Sequence, residues 1–146
     1  GIFYQTVLTR YFQERVLYRL SQTRYRDHFF LKGGALMYAN ERFAARPTLD
    51  IDFLGSGISN DGGQMVSAFR EICSVDCSED GVAFDVERIT SENITEQKDY
   101  HGIRLHIPVA MDTISQVLSM DIGFGDIITP SPVQLDYPLL ISIVQR

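Results

Sequence analysis

Between Leu49 and Phe53 the chain reads Leu-Asp-Ile-Asp-Phe. Strict alternation of apolar and acidic residues dictates a strand with one face in a core and the other charged. Asp50 and Asp52 then share a face, with Cα atoms about 7 Å apart, so both carboxylates can converge on one divalent cation or on a closely spaced pair. Leu49, Ile51 and Phe53 face the core. The ordinary alternative for such a pentapeptide is a half-buried strand whose charged face is merely solvated, and the preceding residues favour the metal. Phe29-Phe30-Leu31 reads as a short buried strand, Lys32-Gly33-Gly34 as a tight turn, and Ala35 to Arg42 as a helix with Ala35, Leu36 and Ala39 inward. A glycine pair feeding a helix N-terminus presents unpaired backbone N–H groups and a positive dipole end, a cradle for phosphate. Triphosphate on the turn and metal on the carboxylates is the arrangement that phosphoryl or nucleotidyl transfer requires.

A third acid stands in similar company. From Gly81 onward the pattern is β: Val82 to Ile89, a polar stretch around Ser91 to Asp99, then strands over Gly102 to Met111 and Ile114 to Phe124. Tyr100-His101-Gly102 and Met111-Asp112-Thr113 read as turns, which predicts an antiparallel meander. Asp121 interrupts the apolar run of the last strand, where an unpaired carboxylate is costly, so a cation or strong donors should lie beside it. It is the third candidate metal ligand; its alternative is a strand-end acid on a solvated face. Asp126, past a glycine, shapes the following turn, Thr129 to Pro132 forms a rigid bend, and Tyr137 to Leu140 starts a final strand.

The N-terminal part predicts a long amphipathic helix from residue 2 to about 25, with Phe3, Val7, Leu8, Tyr11, Phe12, Val16, Leu17 and Leu20 on its inner stripe and Arg15 and Arg19 as a basic edge. Charge is unevenly spread. Up to Arg46 there are eight basic and three acidic residues, and after it five and sixteen, within a net charge of −6. A basic segment beside an acidic metal cleft suits an anionic substrate such as a nucleotide or an RNA end, although a solvated helix face produces the same bias. His28 lacks a neighbouring ligand and reads as a boundary residue. The glycines of residues 55 to 63 lack a P-loop ending, so a connector is expected, followed by a helix from Gln64 to Val75 capped by Asn60 or Asp61. Cys73 and Cys77 have no further zinc ligands near them and read as reduced thiols. No apolar run approaches the roughly 20 residues of a membrane helix, and no signal-peptide pattern opens the chain; the expectation is a cytoplasmic protein with no membrane association.

The run Lys32-Gly33-Gly34-Ala35-Leu36 followed by Arg46-Pro47-Thr48-Leu49-Asp50-Ile51-Asp52-Phe53 resembles the signature of the AbiEii/AbiGii toxin nucleotidyltransferases, within the DNA polymerase β-like superfamily. Most of that superfamily has Gly-Ser at the turn; Gly-Gly is usual in the AbiEii branch. Met120-Asp121-Ile122-Gly123-Phe124-Gly125-Asp126 is similar to the corresponding AbiEii-family strand. The resemblance implies an α/β (α+β) nucleotidyltransferase fold, a short mixed or antiparallel sheet flanked by helices, as a single domain over 1–146. It also implies a carboxylate triad of Asp50, Asp52 and Asp121 serving as metal ligands and catalytic groups, with Mg²⁺ as two ions, or Mn²⁺ in their place. Gly33 and Gly34 would cradle the triphosphate through backbone groups, and Lys32 and Arg46 would neutralise it, or equally form structural ion pairs.

The expected function is transfer of a nucleoside monophosphate from an NTP to an acceptor such as tRNA, by the toxin of a toxin–antitoxin or abortive-infection pair with a cognate antitoxin. Typical members continue into a helical region with a Glu-Lys pair and a Lys-Asp motif that this sequence lacks. The alternative is therefore a catalytically incomplete domain that binds a nucleotide or an antitoxin. A metal phosphohydrolase is the third option.

Overall fold

The computed structural model describes residues 2–32, 51–94 and 102–124. In chain order these form α1 (Ile2–Ser21), β1 (Phe29–Lys32), β2 (Ile51–Gly55), α2 (Gly62–Cys73), β3 (Ala83–Phe84), β4 (Thr90–Ile94), β5 (Gly102–Met111) and β6 (Ile114–Phe124). Short 3₁₀ turns lie at Arg24–Asp27, Ser78–Asp80 and Val86–Arg88. The expected helix over Ala35 to Arg42, the turn residues Tyr100 and His101, the Thr129 to Pro132 bend and the strand from Tyr137 lie outside the described residues, as does Asp126.

The strands make one mixed sheet in the order β1-β2-β6-β5-β3, with β4 also paired to β5. β5 and β6 form the expected hairpin over their full lengths, and Asp112 takes the left-handed backbone of its turn (φ 56°), a conformation that Asp tolerates. β2 joins β6 in parallel, and β1 joins β2 antiparallel. The core face carries Ile51, Phe53, Ile103, Leu105, Ile107, Leu118, Met120 and Ile122, all buried. Phe12 and Val16 of α1 and Met65, Phe69 and Ile72 of α2 complete this core. Phe29, Phe53 and Phe69 meet as a trio with ring centroids 5.2 to 6.1 Å apart, which locks α2 to β1 and β2. Thr9 on α1 donates to Gln116 on the same face of β6. Helix α2 starts where a cap was expected: the Asp61 carboxylate accepts from the Gln64 N–H at 3.0 Å.

Expectations at three places along the chain are corrected. First, Arg15 and Arg19 are no basic edge. Both are buried and hold Asp80, with Arg15 Nε 2.7 Å and Arg19 Nη1 2.8 Å from its Oδ2, all three side chains at most 4% exposed. The Val82 N–H donates to Asp80 Oδ1, Tyr11 Oη donates to the Asp80 carbonyl, and the Arg19 guanidinium lies over the Phe84 ring. Nothing local marks this partner, which is 65 residues from Arg15 and 61 from Arg19. Helix α1 also ends at Ser21 rather than near residue 25, giving way to a 3₁₀ turn that Thr23 caps.

Second, Val82 to Ile89 is not one strand. β3 pairs Ala83 with Ala110 and Phe84 with Val109, and the Asp85 N–H still reaches the Pro108 carbonyl. Pro108 has no N–H to return, so pairing stops there and the chain makes a 3₁₀ turn. A strand residue's N–H and C=O point to the same side, so the missing donor faces β3 and leaves the β5–β6 ladder whole. Third, the stretch expected as polar around Ser91 to Asp99 begins within a strand: Thr90 to Ile94 resumes the pairing as β4. As an edge strand it is largely polar on both faces and carries no alternation.

Buried charges with one partner removed are strongly destabilising. Asp80→Ala should lower the free energy of unfolding by about 3–5 kcal/mol in urea melts. Burial pushes the Asp80 carboxyl up, but bonds from Arg19, the Val82 N–H and Arg15 outweigh it and hold it below its ordinary 3.8. Its contribution is therefore complete above that value and is lost as pH falls through the lower folded value, an acid limb that Asp80→Ala should lack. Both cysteines are free thiols, and burial pushes Cys73 up to about 12 whereas Cys77 is part-exposed. A thiol reagent should modify Cys77 in the native chain and Cys73 only on unfolding, as read by peptide mass.

Candidate active site

The pairing registers place charged residues of five strands in one row. Lys32 on β1 lies opposite Asp52 on β2, Asp52 opposite Asp121 on β6, Asp121 opposite Arg104 on β5, and Arg104 opposite Glu92 on β4. Register partners project from the same face, with Cα atoms about 5 Å apart. This face is opposite the one against which α1 and α2 pack, because Ile51, Phe53, Met120 and Ile122 flank the acids in sequence and point into the core. Asp52, Asp121 and Arg104 are all half-buried, and Glu92 is exposed.

Asp121 has the strong donor that its apolar surroundings demand. Arg104 Nε donates to Oδ1 at 2.7 Å and Nη2 to Oδ2 at 3.1 Å, a bidentate fork between a side chain 37% exposed and one 14% exposed. The polar face continues one step down the hairpin. His106 Nε2 lies 3.1 Å from Glu92 Oε2, and Ser119 Oγ is 3.5 Å from His106 Nδ1.

The structure thus brings together three of the expected site residues, Lys32, Asp52 and Asp121. Gly33, Gly34, Arg46 and Asp50 lie outside the described residues. Among the described residues no group of three His, Cys, Asp or Glu side chains is gathered as a metal site. His28 is a boundary residue: its Nδ1 is 2.8 Å from the Ser56 carbonyl oxygen, at the edge between β1 and the loop after β2. Sequence reasoning passed over Arg104. Its signal was available, since Arg104 and His106 alternate with Ile103, Leu105 and Ile107 and so had to share the face opposite the core.

A row of lysine, two carboxylates and arginine across a mixed sheet, with Asp52 near the start of β2, is consistent with a nucleotidyltransferase domain. The family model described as "Nucleotidyl transferase AbiEii toxin, Type IV TA system" matches residues 15–145, and the chain belongs to this family of toxin nucleotidyltransferases. No curated protein and no solved structure matches the chain. No helix among the described residues is long and apolar enough to cross a membrane.

The Arg104–Asp121 pair is open to solvent on one side, which limits its contribution. A double-mutant cycle of Arg104→Ala and Asp121→Asn, read by urea unfolding, should give a coupling of about 1 kcal/mol.

Proposed function

We propose that this chain is the toxin of a toxin–antitoxin pair and moves a nucleoside monophosphate from an NTP to a hydroxyl of an acceptor, with tRNA as the acceptor class, in the cytoplasm. The observation that carries the reading is the side-by-side register of Asp52 and Asp121, flanked by Lys32 and Arg104. A cognate antitoxin would be its protein partner.

The donor set fits a hard divalent cation. Two carboxylates, both oxygen donors, stand on adjacent strands of one face, and the sequence supplies a third in Asp50. Asp50, Asp52 and Asp121 would hold Mg²⁺, as one ion or two, with Mn²⁺ as a substitute. When bound, the metal would neutralise the triphosphate and polarise its α-phosphorus.

The chain's own groups have separate roles. Lys32, next to Asp52 in register, offers a cation to the phosphate oxygens, and Arg46 is a second candidate for the same task. Backbone N–H groups of Gly33 and Gly34 would bind the triphosphate. Asp121 would accept the proton of the attacking hydroxyl as its oxygen bonds to the α-phosphorus and pyrophosphate departs. The chain's N-terminal positive charge supports an anionic substrate less than its count suggests, because Arg15 and Arg19 are spent on Asp80.

A second reading draws on the Arg104 fork. With both oxygens of Asp121 already engaged, the domain would bind a nucleotide or an antitoxin without turnover. Incubation of the chain with tRNA and each α-³²P-labelled NTP in Mg²⁺ separates the two. Transfer of label to RNA, reduced to background in Asp52→Asn and in Asp121→Asn, is the expected result. Label that persists in both variants would rule out the proposed site, and nucleotide binding without transfer would favour the second reading.

A further inference from the structure

The fork on Asp121 bears on which cation the site accepts. Arg104 Nε and Nη2 lie on one edge of the guanidinium, and each donates to a different oxygen of the carboxylate. Two parallel bonds of this kind cover the open side of the carboxylate, between its oxygens. That is also where a cation must sit to be chelated by both oxygens at once. An ionised carboxylate has about four acceptor positions. The fork takes one on each oxygen and leaves the outer one on each, so Asp121 would meet a cation through a single oxygen.

The two common divalent cations differ on this point. Mg²⁺ demands near-octahedral geometry, keeps several waters and is satisfied by single oxygens. Ca²⁺ gathers six to eight oxygens and commonly fills that larger shell with two from one carboxylate. The fork therefore closes the mode that serves Ca²⁺ and leaves the one that serves Mg²⁺. Strand pairing fixes the arrangement: Arg104 on β5 is the direct register partner of Asp121 on β6. Arginine is required for it, since a lysine ammonium is a point charge that cannot make the planar fork.

We propose that Arg104 is a specificity-determining residue, which forks Asp121 so that the site takes Mg²⁺ or Mn²⁺ in preference to Ca²⁺. The inference rests on the reading of Asp52 and Asp121 as metal ligands. It can be tested on the full chain without any turnover, by following bound Mn²⁺ with electron paramagnetic resonance and displacing it with Mg²⁺ or with Ca²⁺. In Arg104→Gln the preference should shift toward Ca²⁺ on the order of tenfold. Arg104→Lys, which keeps the charge and loses the fork, should shift it in the same direction. Circular dichroism and thermal melts establish that both variants are folded, and the lysine variant guards against loss of the fold in the other. An unchanged ratio in both variants, or a wild-type ratio restored by lysine, overturns the role of the fork while leaving the metal site in place. Mn²⁺ binding that is absent, or indifferent to both Asp52→Asn and Asp121→Asn, removes the metal reading and this inference with it.

Discussion

The parallel pairing of β2 with β6 is the constraint on which the rest depends. It sets Ile51 beside Met120, Asp52 beside Asp121 and Phe53 beside Ile122, so one register satisfies the core and the charged face together. A slip by one residue would turn Ile51 and Phe53 out of the core and bury carboxylates in their place, which neither helix could accommodate. The core thus specifies the alignment of the acids. Burial against α1 and α2 supplies the driving force, and the position of two carboxylates follows from it.

Two of the ion-pair sites among the described residues have different physics. Around Asp80, Arg15 and Arg19 are withdrawn from water and tie α1 to the turn before β3. Such a cluster adds little net stability relative to an apolar packing, but once built it allows no member to be lost. Around Asp121 the partner is half-buried and open to solvent on one side, which screens the pair. One asparagine-sized change therefore weighs differently at the two sites: heavily on stability at the first, lightly at the second.

Where the sequence pattern was strong, the fold was legible. Alternation marked β2, β5 and β6, the Asp112 turn joined the last two, and Asp61 announced α2. The acids Asp52 and Asp121 were picked out by the same alternation, because an acid in an apolar run is conspicuous. What stayed hidden were relations between distant residues. The Asp80 cluster unites α1 with a turn about sixty residues later, the β2–β6 register joins segments equally far apart, and Arg104 gains its meaning only from the partner across β5 and β6. β4 was hidden for another reason: an edge strand needs backbone partners but no apolar face.

Pro108 gives the outer edge of the sheet a further property. By ending β3 after two residues and forcing a 3₁₀ turn before β4, it breaks what would be a long row of unpaired donors and acceptors into two short ones. Among the described residues, a strand from another molecule would find a stretch of two residues and one of five to add to, and the longer is largely polar. Stacking of copies edge to edge, the first step toward β-aggregates, is thereby discouraged by one missing N–H.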